Sequence, residues 1–181
     1  MIPTHAPDIL IRDAVPEDAL CLGVLGMQVF LDTYATEGIR ESIAAEALQV
    51  FRPEAFSRLI AQPGTSIIVA ESNDHLVGFA QVARATPHEL ISTPEVAELQ
   101  RLYIQERFTG LGIGYRLLQA AERQACAGGA SLLWATVWVG NERALAFYPR
   151  RGYELLGSPS YTFQNETHEN RLFAKRLDTH G

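Results

Sequence analysis

The chain has 181 residues, of which 47% are apolar and 20% charged, with a formal net charge of −6. That composition describes a globular chain and excludes a disordered one, and a single domain spanning 1–181 is the natural reading at this length. The acidic balance argues against a general nucleic-acid binder, which needs a basic surface. The charge is also uneven: residues 1–90 carry 12 Asp/Glu against 5 Arg, and residues 91–181 carry 9 Asp/Glu against 10 Arg and Lys.

No membrane span is expected. The best apolar stretch, Leu132–Val139, is interrupted by Thr136 and falls short of the ~20 residues that a span needs. Met1–Pro7 has no basic n-region, and Asp8, Arg12 and Asp13 break any apolar run, so no secretory leader is expected. Cys21 and Cys126 lie far apart and suggest neither a disulfide framework nor a metal site. His5, His75, His88, His168 and His180 are scattered, with no H-x-x-x-H pair. A reducing cytoplasm fits this cysteine usage.

Residues 8–13 (DILIRD) read as a short strand. Pro16 opens a helix, as proline does in a first turn. Leu20, Val24, Met27 and Leu31 recur at helical spacing and predict its buried face. Two further helices are expected over 40–50 and 53–62, with Pro53 between them. Residues 65–71 and 75–83 flank the turn-forming run Ser72-Asn73-Asp74 and read as a hairpin. After a proline-containing loop over 84–95, a strand runs from about Val96 to Ile104. A helix follows Thr109–Gly114, with Leu117, Leu118, Ala121 and Ala125 on its buried face and Gly128-Gly129 at its end. Residues 131–139 form a strand, 141–148 a short helix, and 152–157 and 161–177 the last strands. Helices alternating with strands predict an α/β or α+β sandwich around one sheet.

The most informative unit is strand, glycine loop and helix over Leu102–Leu118. Gly110, Gly112 and Gly114 sit at alternate positions where the helix begins. Glycines allow positive φ and close backbone approach, and unpaired N–H groups at a helix N-terminus suit a pyrophosphate. A tight strand-to-helix turn would need the same glycines. A P-loop would need Lys-Ser/Thr after the last glycine, and here Tyr115-Arg116 follow. A dinucleotide fingerprint would need G-x-G-x-x-G near the first strand, and here the spacing is G-x-G-x-G in mid-chain.

Two further stretches, Ala97–Leu102 and Asn141–Tyr153 (NERALAFYPRRGY), stand in order around that loop. Together the three resemble the GNAT superfamily of acetyl-CoA-dependent N-acetyltransferases. The loop matches Q/R-x-x-G-x-G/A as Thr109–Gly114, and Asn141–Tyr153 matches N-x-x-A-x-x-F-Y-x-x-x-G-F/Y. The resemblance covers most of 65–157. Within the superfamily the chain looks like the small bacterial polyamine acetyltransferases, a less specific match to which Phe30–Tyr34 contributes.

This resemblance implies a mixed, mostly antiparallel central sheet flanked by helices, with a splayed central strand pair. It implies acetyl-CoA as co-substrate, no metal, a small-molecule amine acceptor, and a homodimer on family grounds. The pantetheine arm would pair with backbone at Leu102, Tyr103 and Ile104. The pyrophosphate would meet N–H groups of Gly110, Leu111, Gly112, Ile113, Gly114 and Tyr115, with Thr109, Asn141, Ala144 and Phe147 beside the cofactor. Thr109 replaces the family's usual Gln/Arg, and Arg107 or Arg116 is the compensating charge to look for.

Glu98 is the candidate base, four residues before Leu102 and so of one strand parity; the alternative is a surface charge. The Leu102 N–H would be the oxyanion donor, and Tyr148 the acid that protonates the leaving thiolate. Pro149 disfavours helical geometry at Tyr148 and is expected to re-aim the phenol. Asn141 is also a good N-cap, which alone would explain it. Trp134, Thr136 and Trp138 share a strand face and read as core packing in preference to a ligand wall. Phe30, Tyr34 and Glu37 would face the acceptor, with Asp32 and Glu41 making a cation-attracting mouth. Arg101, Arg107, Arg116 and Arg123 would favour the anionic cofactor.

The activity so implied is acetyl transfer from acetyl-CoA to a primary amine, such as a polyamine, by direct attack in a ternary complex. The alternatives are a non-catalytic acyl-CoA-binding regulatory module and acetylation of a protein N-terminus.

Overall fold

The computed structural model describes residues 7–178. His5, His180 and the start of Met1–Pro7 lie outside the described residues. In chain order the elements are β1 (Leu10–Asp13), α1 (Ala19–Tyr34), α2 (Glu41–Val50), α3 (Pro53–Ala61), β2 (Thr65–Ser72), β3 (His75–Arg84), β4 (Val96–Ile104), α4 (Ile113–Ala127), β5 (Leu132–Trp138), α5 (Glu142–Phe147), β6 (Glu154–Gly157), β7 (Ser160–Phe163) and β8 (Glu166–Arg176). The strands form one sheet in the order β1-β2-β3-β4-β5-β8-β6, with β7 paired to β8. Every pairing is antiparallel except β4 with β5. This is the mixed, mostly antiparallel sheet flanked by helices that the resemblance implies.

Two apolar layers sandwich the sheet. On one face Ile113, Leu117, Leu118, Ala121 and Ala125 of α4 pack against Ala80, Val82, Ala97 and Leu99. On the other, α1 to α3 cover Ile67, Val69 and Phe79. The β2–β3 hairpin turns at Asn73 and Asp74, both at positive φ (48° and 63°), the geometry a two-residue turn requires.

Two expectations are corrected. The stripe Leu20/Val24 is not the buried face of α1, for those residues are 63% and 65% exposed. Leu22, Leu25 and Phe30 face inward instead, with Gly23 and Gly26. The sequence of α1 is apolar nearly all round, so periodicity alone leaves its rotation open. The glycines set it: a Cβ on Gly23 would lie 2.7 Å from the Phe51 backbone oxygen, and one on Gly26 would lie 2.6 Å from the Phe51 ring. Second, residues 161–177 are two strands, β7 and β8. The chain reverses at Gln164 and Asn165, again a pair at positive φ (47° and 62°).

In an exposed helix, Gly→Ala gains up to about 1 kcal/mol from backbone propensity. Gly23→Ala is expected to do the reverse, lowering stability by about 1–3 kcal/mol through overpacking against Phe51. The urea midpoint reads it, and a midpoint at or above the parent's would contradict the packing.

Candidate functional site

The site begins where the sheet opens. β4 pairs with β5 at Val96↔Leu132, Ala97↔Leu133 and Glu98↔Trp134, and at no later residue. β5 continues to Trp138 paired only with β8, while β4 continues to Ile104 paired only with β3. The two parallel strands part after Glu98, and one edge of β4 from Leu99 to Ile104 is left without a strand partner. A cleft of about 980 Å³ fills the gap. Glu98, Leu102, Tyr103 and Ile104 line it from β4, and Asn141, Ala144, Phe147 and Tyr148 from the other side.

A β-bulge interrupts β4. Val82 pairs with Leu99 and Gln81 with Arg101, so Gln100 is the extra residue. The bulge overturns the expectation that Glu98 and Leu102 share a strand face. Their partners on β3, Ala83 and Ala80, are an odd number of residues apart. Leu99, Leu102 and Ile104 accordingly face α4. Tyr103 and Arg101 face α1 to α3, with Tyr103 packed there and the Arg101 guanidinium 5.3 Å from the Phe51 ring centroid. Glu98 shares their side, and both faces meet the cleft because the strand edge is open.

Glu98 is partly buried, and loss of water pushes its carboxyl above the ordinary glutamate range, with the Gln100 amide opposing. A polar chain holds it. Arg101 Nη1 donates to Gln81 Oε1 (2.5 Å), Gln81 Nε2 to Gln100 Oε1 (2.6 Å), and Gln100 Nε2 to Glu98 Oε2 (3.4 Å). Gln81 is only 3% exposed, so it needs both of these partners.

Tyr148 is buried, stacked on Phe173 (5.7 Å) and set edge-on to Phe147 (5.3 Å). Burial raises its phenol well above the usual tyrosine range, which keeps the proton on it. The α5 helix ends at Tyr148 as Pro149 leads one to expect, although Tyr148 itself keeps helical geometry at φ −64°, ψ −45°. Proline opens the one-turn helix Pro149–Arg151, where its missing N–H costs nothing, and Tyr148 lines the cleft.

Gly110 and Gly112 have φ of 77° and 80°, and a Cβ at either would meet nothing within 4 Å. Conformation alone demands glycine there, and the space over the loop is open. Gly114 is different, since its Cβ would press on Ile104 at 3.1 Å. Ile113 is buried and offers only backbone, whereas Leu111 and Tyr115 are exposed. Thr109 spends its hydroxyl on the Glu106 carbonyl (2.8 Å). Arg107 and Arg116 are exposed near the loop, while Arg123 lines a separate depression beside β1. Asn141 caps α5, its Oδ1 accepting from the Ala144 N–H at 3.1 Å, and also lines the cleft.

On the acceptor side Phe30 and Tyr34 both line the cleft, and Tyr34 stacks on Trp138 (5.1 Å). Glu37 and Glu41 are exposed and do not line it; Asp32 does, and Glu46, which the sequence reading passed over, joins it. Glu37 falls in the turn after α1, and Glu41 begins α2. Of Trp134, Thr136 and Trp138 only Trp134 is core; Thr136 is exposed, Trp138 half-buried, and all three line the cleft. The indole of Trp134 is anchored to the Thr86 carbonyl (2.9 Å) and lies 5.0 Å from the His88 ring. Sequence reasoning missed Gln81, Gln100 and Tyr161 too. The bulge that turns the first two toward Glu98 has no glycine or proline to mark it, and Tyr161 arrives only through the unexpected β7 hairpin.

Among the described residues no group of three or more His, Cys, Asp and Glu gathers as metal ligands would, and no helix is long and apolar enough to cross a membrane.

Residues 34–153 match the profile of the acetyltransferase (GNAT) family. An N-acetyltransferase encoded beside pepI in Lactobacillus delbrueckii subsp. lactis is 23% identical over 153 residues, covering 84% of this chain and 88% of that protein. Among solved structures, a PaiA N-acetyltransferase of Thermoplasma acidophilum in complex with coenzyme A superposes with a TM-score of 0.75 at 22% identity, over 94% of this chain and 99% of that one. A ribosomal-protein-alanine N-acetyltransferase of Brucella melitensis gives 0.67 at 23% identity, over 93% and 99%.

The raised pKa of Glu98 has a consequence for stability. Burial disfavours its ionised form, so the penalty is absent below the unfolded-state pKa, where both states are protonated, and complete above the folded one. Glu98→Gln is therefore expected to raise Tm more near pH 8 than near pH 4. Thermal melts at the two pH values check this; an equal or larger gain at the lower pH would contradict it.

Proposed function

As this chain belongs to the acetyltransferase (GNAT) family and is an acetyl-CoA-dependent N-acetyltransferase, we propose that its acceptor is a small primary amine, cationic in solution, the class that includes polyamines. The observation that carries this reading is the opening of one cleft onto Glu98 on one side and Tyr148 on the other, beside a glycine loop with open space above it. Asp32, Glu46 and Glu98 on the cleft wall support a cationic visitor. A cytoplasmic setting accords with two free cysteines.

An amine of pKa near 10.4 must lose a proton before attack, which costs roughly 4–5 kcal/mol at pH 7. Glu98, with its carboxyl raised by burial, is the proposed acceptor of that proton, through water. The amine nitrogen then bonds to the thioester carbonyl carbon, and the Leu102 N–H is the proposed donor to the oxygen that becomes negative. The C–S bond breaks, and Tyr148, kept protonated by burial, supplies the proton that the thiolate takes up. The second proton, which the nitrogen sheds on becoming an amide, passes through water to the tyrosinate. The backbone of Leu102–Ile104 would hold the pantetheine amides, and the N–H groups of Gly110–Tyr115 the pyrophosphate, with Thr109, Asn141, Ala144 and Phe147 alongside. Phe30 and Tyr34 would pack on the acceptor's carbon chain. Glu37, exposed outside the cleft, drops out of the acceptor set.

A thiol-release assay over a panel of primary amines tests the reading. At least one amine should turn over, with Tyr148→Phe lowering kcat about 10²-fold and Glu98→Gln removing the rise of rate with pH on the acid side. Binding of acetyl-CoA without turnover of any amine would point to the non-catalytic module instead.

The wall acids give a second test. Asp32→Asn with Glu46→Gln should raise KM for a diamine several-fold, about as two near charges lost from a screened mouth would, and change KM for a neutral-bodied monoamine less. Equal effects on both amines would return these acids to ordinary surface charge.

A further inference from the structure

Arg101 is a charged group on the cleft wall that the proposed transfer leaves unused. It lines the cleft and is only partly exposed. Its guanidinium carries five N–H donors; Gln81 Oε1 takes one and the Tyr103 phenol oxygen lies against it as well, which leaves further donors over. No carboxylate among the described residues lies within 4.0 Å of it, whereas half-buried Arg12 holds both Asp18 and Glu71. The flat face of the guanidinium is covered, by Phe51 at 5.3 Å and Phe56 at 6.0 Å, so the remaining donors lie along its edge, where a planar anion fits.

The bulge decides which anion. Had β4 alternated regularly, Arg101 and the cofactor-facing Leu99 would be of one parity. With Gln100 bulged out, Arg101 faces α1 to α3 while Leu102 and Ile104 face α4 and its glycine loop. That is the acceptor's side of the sheet and not the pyrophosphate's, contrary to the expectation that Arg101 serves the cofactor. Two observations agree. The Tyr161 phenol lies close enough to feel both Arg101 and Glu46, so charges of both signs flank that part of the wall. Asn170, 6% exposed and also lining the cleft, has an Oδ1 with no hydrogen-bond partner, and a ligand N–H would complete it.

We infer that Arg101 is a carboxylate-binding subsite for the acceptor, so that the preferred substrate is an amine that also carries a carboxylate, such as a free amino acid or short peptide, in preference to a plain polyamine. The inference rests on the proposed amine acetylation and narrows its substrate class. The spacing suits a small molecule. Glu98 and Arg101 face partners two residues apart on β3, so their Cα atoms stand about 7 Å apart along the strand. The polar chain Arg101–Gln81–Gln100–Glu98 holds the anion subsite and the proposed base in fixed relation.

The test uses matched acceptors: L-lysine against 1,5-diaminopentane, which lacks only the carboxylate, and L-alanine and glycylglycine each against its amide. The parent enzyme should favour the carboxylate member by about ten-fold or more in kcat/KM, mostly through KM. Arg101→Met should bring that ratio to within about two-fold of unity, and Arg101→Lys, which keeps the charge without the fork, should restore part of it. If Arg101→Met does not fold, the lysine variant alone must lose most of the preference. A parent enzyme that uses diaminopentane and the amides equally well or better overturns the subsite, as does a preference that survives both variants. Absence of turnover with every amine would instead defeat the proposed acetylation. Calorimetric binding of the same pairs to the CoA-loaded protein then decides the subsite separately: tighter binding of the carboxylate members upholds it, and equal binding overturns it.

Discussion

β4 and β5 share only three paired residues before they part, and the cleft depends on that short ladder. A strand edge inside a sheet is normally paired, because unpaired backbone groups away from water are costly. Here the edge from Leu99 to Ile104 stays open because each strand is held from its other side. β3 grips β4 along nearly its whole length, and β8 grips β5 from Leu132 to Trp138. The start of α4 and α5 meet beside Ile104, where Gly114 and Phe147 come together, and Ser160 and Tyr161 of β7 also line the cleft. The result is a slot with main-chain groups on one wall and aromatic side chains on the other, which suits an extended, amide-bearing co-substrate.

The bulge at Gln100 adds a second level of order. It turns β4 so that Leu102 and Ile104 look to the glycine loop while Glu98, Arg101 and Tyr103 look to the helices α1 to α3. One strand thereby presents side chains to both faces of the sheet beside one cleft. The same residue that breaks the alternation supplies the amide that reaches Glu98. The uneven charge along the chain takes a more local meaning in this arrangement. The acids that count are Asp32 and Glu46 on the cleft wall, together with Glu98 beyond them. Glu37 and Glu41 are solvated. Two arginines, Arg101 and Arg143, also line the cleft.

Much of this was legible in the sequence, for identifiable reasons. The glycines at 110, 112 and 114 mark backbone geometry that few other residues tolerate, and α4 carries a clean apolar stripe, so this unit was read nearly to the residue. The stretch Asn141–Tyr153 gave α5 and its cap. Illegible features were those fixed by tertiary contact. The rotation of α1 follows from Gly23 and Gly26 meeting Phe51, far away in sequence, while its own pattern is apolar all round. The β7–β8 turn uses Gln164-Asn165, a weak turn signal. The bulge at Gln100 sits in an ordinary polar run, and missing it reversed the assigned face of Glu98 relative to Leu102. The aromatic wall of Trp134 and Trp138 looked like core because, from sequence, a buried strand face and a cleft wall are alike.

The central claim is that the open edge of β4 and the glycine loop together form the acetyl-CoA site. A crystal structure with bound CoA tests it most directly. The account predicts pantetheine amides hydrogen-bonded along Leu102–Ile104, with the pyrophosphate on the N–H groups of Gly110–Tyr115. CoA bound away from that edge, or β4 and β5 paired beyond Glu98 with the cofactor excluded, would contradict it.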